Sequence, residues 1–228
     1  YNNVYVKTLE SVHGGAYGPI FEQWFDGANG EGPNGKKQVY DWPLFNQTVL
    51  RNQPQAVIFS DVGPGCRWVG NEEGRAGRTN WALLRTEGFT PGQGGPSTES
   101  LNQGDPDGTA WVPAETDVSI RPGWFWREAE NSQVKSVNEL LKIYYESVGR
   151  NSLLLLNVPP DTRGHLHEVD STRLMEFRRA LDTIFSENLA LSQTRKGRSW
   201  TVKVAPEKPF NRIVLTEDIA KGQRVVSF

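Results

Sequence analysis

One stretch near the start, residues 19–27, constrains the fold of this chain more than any other. Its apolar and aromatic part runs from Ile20 to Phe25, which is the composition of a strand buried in a sheet. The stretch ends at Asp26-Gly27, where a loop rich in glycine and asparagine begins. A carboxylate at the carboxyl end of a buried strand, with Trp24 two residues before it, is where an α/β barrel places its chemistry. The alternative is that Asp26 only caps the loop, as Asp before Gly often does.

The next segments predict a strand–helix–strand unit. Asp41-Trp42-Pro43 has the composition of a helix start, with Asp as the cap and Pro in the first turn, and the helix should end at about Asn52. Residues 54–60 then form a second short apolar strand that ends at Asp61. This spacing is that of a βαβ unit, which implies a parallel sheet. Residues 3–12 add an amphipathic helix before the first strand.

The middle of the chain has one long irregular stretch followed by regular elements. Residues 61–115 have little periodicity and many Gly, Pro, Thr and Asn, and a loop of this length in a compact domain is usually functional. The elements predicted after it are a strand at 117–121, a helix at 134–148, a strand at 152–158 and a helix at 171–188.

The sequence pattern changes after Ala190. Residues 200–204 alternate apolar and polar side chains, and residues 212–215 have the composition of another short strand. We therefore expect residues 1–190 to form one unit and residues 191–228 to form a linker and the first strands of an all-β domain.

Both ends of the chain lack the features of a natural terminus. The first residues are not a signal peptide, and residues 224–228 resemble the interior of a strand. We therefore expect the chain to be an excerpt from a longer protein. A periplasmic or secreted location is expected if a signal peptide precedes it.

Composition excludes several classes of function. The net charge of −2 gives no electrostatic basis for binding nucleic acid or an anionic membrane. No apolar run approaches the roughly 18 residues of a membrane span. Cys66 is the single cysteine, which excludes an internal disulfide and a cysteine-ligated metal site. The eight Trp, ten Phe and six Tyr suit either a packed core or stacking on sugar rings.

Four sequence blocks carry a family resemblance: PIFEQWFDG, CRWVGNEEG, ETDVSIRPGWFW and SLLLLNVPPDTRG. Together, and in this order, they resemble the α-L-fucosidases of glycoside hydrolase family 29. The Asn-Glu of the second block is similar to the subgroup that acts on α-1,3- and α-1,4-linked fucose. The resemblance implies a (β/α)8-like (TIM-type) barrel, an α/β fold of which only the later strands, roughly four, lie in this chain. It also implies that the tail opens a β-sandwich domain.

The resemblance also implies a catalytic pair. A retaining glycosidase needs a carboxylate that attacks the anomeric carbon and a carboxylic acid that protonates the leaving oxygen, about 5–5.5 Å apart. Asp26 matches the family's nucleophile, and Glu72 matches the acid/base of the α-1,3/1,4 subgroup. Glu73 is the rival for the second role, and as neighbours these two residues should point different ways. Glu115 and Asp117 are a weaker pair, which could hydrogen-bond a sugar hydroxyl or anchor the start of a strand.

Tryptophans near these carboxylates are the predicted sugar-binding groups. Trp24 lies on the same side of its strand as Asp26, so it is a candidate wall for the sugar, with core packing as the alternative. By the resemblance, Trp124 meets the C6 methyl and the C–H face of fucose, and Trp126 shares its face.

Arg67 and Trp68 are further candidates. Arg67 lies in a segment that resembles one bringing an arginine near the nucleophile, where it could hold Asp26 ionised and lower its pKa. A surface ion pair is the alternative. The complete predicted substrate-binding set is Trp24, Arg67, Trp68, Glu115, Trp124 and Trp126.

No metal site or cofactor is expected from the sequence. His165 and His167 have no carboxylates at ligand spacing and lie in a loop rich in Pro and Gly, so a solvated loop is favoured over a zinc site. No Gly-rich phosphate loop or Gly-x-Ser-x-Gly motif occurs.

The sequence therefore predicts a retaining exo-glycosidase that removes terminal α-L-fucose, α-1,3/1,4-linked, from oligosaccharides or glycoconjugates. The partner is a fucosylated oligosaccharide. One alternative is a fucose- or glycan-binding barrel without catalysis. Another is that the excerpt has no function of its own and aggregates through an open sheet edge.

Overall fold

The main sheet has five strands, each parallel to its neighbours, in a computed structural model that describes residues 1–197, 199–206 and 208–225. The strands in chain order are β1 (Glu22–Trp24), β2 (Val57–Ser60), β3 (Cys66–Trp68), β4 (Leu83–Leu84), β5 (Ala110–Trp111), β6 (Ala114–Ser119), β7 (Leu153–Asn157), β8 (Ala190–Lys196) and β9 (Ser199–Val204). The main sheet has the order β1-β2-β3-β6-β7, while β4 pairs with β5 and β8 with β9 in antiparallel ribbons.

The α-helices of the described residues begin at side-chain caps, except for the first, whose N-cap Tyr1 makes no side-chain hydrogen bond. They are α1 (Asn2–His13), α2 (Trp42–Asn52), α3 (Thr98–Gln103), α4 (Val137–Glu146) and α5 (Glu168–Phe185). The carboxylate of Asp41 accepts the N–H of Leu44 at 3.1 Å, as predicted for the cap of α2. Ser136 and Glu139 form a capping box at the start of α4. Local hydrogen bonding therefore fixes these helix starts.

The predicted strand–helix–strand unit is confirmed. β1 pairs in parallel with β2, with Glu22 level with Val57, and α2 connects the two strands. Apolar side chains of α1, α2 and the two strands pack together behind the sheet; this cluster comprises Leu9, Phe25, Trp42, Phe45, Val49, Ala56 and Ile58. The helices therefore cover one face of the sheet and leave the side chains of opposite parity on the other face.

The first strand is shorter and less buried than predicted. β1 has three residues, and Phe21, just before it, is 74% exposed. β1 lies at the edge of the sheet and pairs only with β2 among the described residues, so a bulky residue beside it stays uncovered. The expectation of a strand buried over residues 20–25 was wrong for this reason.

The prediction of one long loop at residues 61–115 was also wrong, because this stretch contains the third strand of the main sheet. β2 passes to β3 through residues 61–65 alone, whereas adjacent parallel strands usually need a crossover of about a dozen residues. This short connection brings the chain back against β2 and requires glycine at position 65, because an added Cβ there would lie 2.6 Å from the nitrogen of Ile58. The sheet consequently has five strands where about four were expected.

A second core cluster covers the other end of the sheet. Val118 and Ile120 pack against Leu140 and Ile143 of α4 and Phe177 of α5. β6, α4, β7 and α5 correspond to the four elements predicted after residue 115, with ends shifted by a few residues.

The tail begins as predicted and then departs from the prediction. β8 and β9 form an antiparallel hairpin, which matches the change of pattern after Ala190. Residues 212–215 are not a strand, so that prediction was wrong. Positions 226–228 lie outside the described residues. The division into a barrel unit and a β-sandwich domain remains a prediction.

A parallel sheet with helices on one face is the arrangement of a partial TIM-like barrel. None of the helices in the described part of the chain is both long and apolar enough to cross a membrane.

Candidate active site

A cavity of about 740 Å³ lies at the carboxyl ends of the parallel strands. Its acidic lining consists of Asp26, Asp61, Glu72 and Asp117. Its aromatic lining consists of Trp24, Phe25, Tyr40, Trp42, Phe59 and Trp68. Carboxylates beside aromatic rings at this end of a parallel sheet are typical of a site that binds and cleaves a neutral, hydroxyl-rich ligand.

Asp26 reaches the cavity directly after β1. Its Oδ1 accepts the N–H of Ala28 at 2.8 Å, so the carboxylate does cap the loop that follows. Its side chain is exposed and lines the cavity. The two readings of Asp26, loop cap and functional carboxylate, are therefore compatible, since one oxygen caps the loop while the group faces the cavity.

Glu72 and Glu73 point to different surroundings, as expected of neighbours. Glu72 lines the cavity. Glu73 does not, and its carboxylate forms an ion pair with Arg75 at 2.5 Å. The side chain of Asn71 accepts the N–H of Glu73 at 3.1 Å and donates to the carbonyl of Arg75 at 2.8 Å, which fixes the turn. The structure thus brings Glu72, and not Glu73, into the cavity with Asp26.

Asp117 is the third acid in this group. Its Oδ1 accepts the indole N–H of Trp68 at 2.9 Å. Burial raises the pKa of Asp117 to about 6, with the Trp68 hydrogen bond opposing the shift and the charges of Glu72 and Asp26 adding to it. Asp117 lines the same cavity as Asp26 and Glu72, so the three carboxyl groups share one site.

Aromatic side chains form the wall of the cavity beneath these acids. The rings of Trp24 and Phe59 stack with centroids 4.7 Å apart and planes 8° from parallel. Trp24 is 36% exposed, so one ring face packs on its neighbour while the side chain still lines the cavity. Core packing and sugar contact are therefore not exclusive for Trp24.

Arg67 lies on the opposite face of the sheet, which corrects the prediction that it holds Asp26 ionised. Its side chain is fully buried and donates to the carbonyls of Leu101 and Val112, to Oδ1 of Asn80 and to the carbonyl of Trp81. Adjacent strand residues face opposite ways, so Trp68 and Arg67 cannot both face the cavity. Arg67 is also not the surface ion pair proposed as the alternative, because all of these partners are neutral.

Glu115 lies deeper than predicted and does not line the cavity. It is 2% exposed, and its Oε2 accepts a weak hydrogen bond from the thiol of Cys66 at 3.9 Å. Burial, together with the nearby charge of Glu22, raises the pKa of Glu115 to about 8. Glu115 shares a face with Asp117 but sits two residues earlier on β6, below the cavity floor.

Glu22, Cys66 and Glu115 are the one group in the described residues whose side-chain atoms could ligate a metal ion. Their ligand atoms lie within 4.8 Å of one another. Burial raises the pKa of the Cys66 thiol and of both carboxyl groups, which favours protonated forms that do not ligate metals. The sequence did not reveal this cluster, because its members are far apart in the chain.

Trp124 and Trp126 are not among the residues that line the cavity with Asp26. The carbonyl of Trp124 accepts the side-chain amide of Asn157 at 3.0 Å. Trp126 faces a separate small depression, where its ring lies 5.9 Å from the ring of His167. The contact of Trp124 with fucose, and the face that Trp126 shares with it, therefore stay predictions.

A buried ion pair explains where this tryptophan loop lies. Arg121, two residues after the end of β6, contacts Asp170 at 2.9 Å, and both side chains are fully buried. Arg121 also donates to Asn131 and to the carbonyl of Arg127, which ties the loop to the first turn of α5. His167 caps that helix by accepting the N–H of Val169 at 3.3 Å.

Asp61 is the one acidic residue of the cavity lining to which the sequence analysis gave no role. It was recognised only as the end of a strand, although its position after β2 repeats that of Asp26 after β1. Its carboxylate accepts backbone N–H groups of residues that are about 30 positions away, and no sequence pattern reports such contacts.

Comparisons with known proteins agree on one family. The family model described as Alpha-L-fucosidase matches residues 17–183. The chain is 46% identical to Alpha-L-fucosidase 1 of Arabidopsis thaliana over 83% of its own length and 36% of that protein. It is 40% identical to a relative from Oryza sativa subsp. japonica, over 93% of its length and 46% of that relative. The chain thus spans about a third to a half of the length of these curated relatives.

Solved structures give the same result. A glycoside hydrolase 29 family member from an unknown rumen bacterium superposes with a TM-score of 0.75 at 38% identity, covering 87% of this chain and 38% of that one. A Ruminococcus gnavus GH29 fucosidase, solved in complex with fucose, gives a TM-score of 0.70 at 31% identity, covering 84% and 40%. The half-barrel sheet therefore corresponds to part of a larger fold in these neighbours.

Proposed function

The chain belongs to the α-L-fucosidase family, and we propose that its cavity is part of the active site of a retaining exo-glycosidase that removes terminal α-L-fucose. The observation that carries this proposal is that Asp26 and Glu72 line the same cavity at the carboxyl ends of the sheet. The fucose found in a related structure supports the same substrate class.

The proposed reaction has two steps, both made by these carboxyl groups. In the first, a carboxylate oxygen of Asp26 attacks the anomeric carbon of fucose while Glu72 gives its proton to the leaving glycosidic oxygen, which forms a fucosyl-enzyme ester and frees the aglycone. In the second, Glu72 takes a proton from water, and the water oxygen displaces Asp26 from the anomeric carbon. Two inversions at one carbon give net retention.

The local structure suits each role. Asp26 follows a strand and has one oxygen held by the N–H of Ala28, so its carboxylate has a defined orientation for attack. Glu72 follows a turn fixed by the side chain of Asn71. Trp24 and Trp68 offer ring faces on which the C–H groups of a sugar can stack.

We further propose that the preferred linkage is α-1,3 or α-1,4. The support for this assignment is the Asn71-Glu72 arrangement, which resembles the subgroup with that preference. The test is to compare release of fucose from oligosaccharides that carry α-1,2, α-1,3, α-1,4 or α-1,6 linkages. Faster release from the α-1,2 or α-1,6 substrates would overturn the assignment.

The activity itself is tested with an aryl α-L-fucoside and the full-length protein. Proton NMR during the first turnovers should detect α-L-fucose before it mutarotates, because retention preserves the anomeric configuration. Initial formation of β-L-fucose would contradict the double displacement. Binding of fucosylated glycans without any release of fucose would instead support a non-catalytic glycan-binding barrel.

A further inference from the structure

We propose that Asp61 is a positioning residue that holds residues 92–98, here named the rim segment, as the wall that contacts the leaving sugar. The inference rests on the proposed function, because it names the part of the same cavity that recognises the group released from fucose.

Asp61 binds the rim segment through backbone N–H groups. Its Oδ1 accepts the N–H of Gly92 at 2.7 Å and that of Val62 at 2.9 Å, and its Oδ2 accepts the N–H of Gly94. Hydrogen bonds to an ionised acceptor are stronger than neutral ones, so one carboxylate at the end of β2 fixes the start of the rim segment.

The rim segment touches the part of the chain that carries Asp26. An added Cβ on Gly27 would lie 3.1 Å from the carbonyl oxygen of Gly92. Gly92 itself packs against the indole of Trp42, where an added Cβ would come within 2.3 Å of the ring. Gly92 also has a φ of +88°, which favours glycine. This contact therefore fixes the distance between the rim segment and the loop after Asp26.

The other end of the rim segment touches the part of the chain that carries Glu72. An added Cβ on Gly70 would lie 2.7 Å from the carbonyl oxygen of Thr98. Ser97 caps α3 by accepting the N–H of Ser100 at 3.2 Å, and the buried Leu101 anchors that helix. A single segment thus spans from the nucleophile's loop to the acid's turn.

This position faces the leaving sugar. The acid must protonate the glycosidic oxygen, so Glu72 lies on the side of the cavity from which the aglycone leaves. The rim segment adjoins that side and contributes the exposed side chain of Gln93 to the cavity lining. A carboxamide both donates and accepts hydrogen bonds, as the hydroxyl groups of a sugar require. We therefore assign Gln93 to contact with hydroxyls of the sugar to which fucose is attached.

The test compares two substrates in the full-length protein. One is an aryl α-L-fucoside, which has no sugar in its leaving group, and the other is an α-1,4-fucosylated oligosaccharide. Gln93→Ala should lower kcat/KM for the oligosaccharide by about three- to tenfold, the equivalent of one hydrogen bond, and change it by less than about twofold for the aryl fucoside. Asp61→Asn should lower kcat/KM for the oligosaccharide, relative to kcat/KM for the aryl fucoside, by at least about tenfold. The reason is that the amide of Asn has one oxygen and cannot accept both rim N–H groups as the carboxylate does.

Gln103→Ala is the matched control, since Gln103 is an exposed glutamine in α3 that does not line the cavity. This variant should leave the ratio of kcat/KM for the oligosaccharide to kcat/KM for the aryl fucoside unchanged. Gln93 is exposed, so its variant tests the proposal even if Asp61→Asn fails to fold. Equal losses on both substrates in both variants would overturn the inference and leave the proposed function intact. If the unsubstituted protein hydrolysed neither substrate, the proposed function would fail first and the inference with it.

Discussion

The indole N–H of Trp68 donates to Oδ1 of Asp117 at 2.9 Å and so joins two adjacent parallel strands across the floor of the cavity. This bond orients an aromatic wall and a carboxyl group at once. Because burial and the charges of Glu72 and Asp26 raise the pKa of Asp117 to about 6, the group gains its charge in mildly acidic solution. Its protonation state should therefore affect catalysis.

The first prediction concerns the charge of Asp117. An ionised Asp117 places negative charge beside the positively charged transition state of glycoside cleavage, so its contribution should appear as the pH rises through about 6. We expect Asp117→Asn to match the unsubstituted protein in kcat/KM at about pH 5 and to be about tenfold slower at about pH 7.5. The measurement is a pH profile of kcat/KM on an aryl α-L-fucoside.

Trp68→Phe separates the charge of Asp117 from its position. The Trp68 hydrogen bond lowers the pKa of Asp117, so its removal should move the inflection of the profile to higher pH. A constant ratio between Asp117→Asn and the unsubstituted protein at every pH would mean that Asp117 acts only by holding Trp68.

The second prediction concerns the proposed catalytic pair. Asp26→Ala should abolish turnover. Glu72→Ala should lower the rate of turnover by at least about a thousandfold on a substrate with a sugar leaving group. Azide, which needs no general base, should restore turnover of an activated aryl fucoside by Glu72→Ala. Glu73→Gln is the matched control and should stay within about twofold, because Glu73 pairs with Arg75 outside the cavity. Azide rescue of Glu73→Gln in place of Glu72→Ala would reverse the assignment.

The parts of the fold that follow from local sequence were predictable. The cap of α2 and the apolar spacing of the later helices are properties of short segments, and they placed these elements within a few residues. β3 was not predicted because residues 61–65 take the place of the usual crossover helix. The sequence between β2 and β3 therefore has no helical pattern that would indicate a second parallel strand.

The candidate site was predicted to the extent that strand parity was applied. The period of two correctly put Trp24 and Asp26 on one face, but it was not applied to Arg67 and Trp68, which as neighbours in a strand must face opposite ways. The burial of Glu115 and the hydrogen bonds from the rim segment to Asp61 depend on contacts between distant segments. Such contacts have no periodicity that a single sequence displays.

The third prediction concerns Arg67 as a structural residue. Its buried guanidinium satisfies three carbonyl groups and Asn80, and burial lowers its pKa to about 10. Arg67→Met leaves these acceptors unpaired and should lower the free energy of unfolding by at least about 3 kcal/mol. Arg85→Met removes an exposed pair with Asp105 and should cost less than about 1 kcal/mol. Urea denaturation measures the free energy of unfolding of both variants. If Arg67→Met kept its stability but lost activity, Arg67 would have a role in the active site and not in the structure.

The fourth prediction concerns the buried carboxyl of Glu115. Because burial raises its pKa to about 8 from an ordinary 4.5, the folded protein keeps a proton there that the unfolded chain releases. The resulting stability is fully present below about pH 4.5 and is lost as the pH rises toward 8.

Glu115→Gln removes this titration while keeping the shape of the protonated acid. We expect its free energy of unfolding, from urea melts at several values between about pH 5 and 8, to fall less steeply with pH than that of the unsubstituted protein. Some slope should remain, because burial also raises the pKa of Glu22. The exposed Glu99→Gln is the control and should keep the original slope. If Glu115→Gln instead lost the same stability at every pH, the site would need the carboxylate form, as a buried cation beside Glu22 and Cys66 would require.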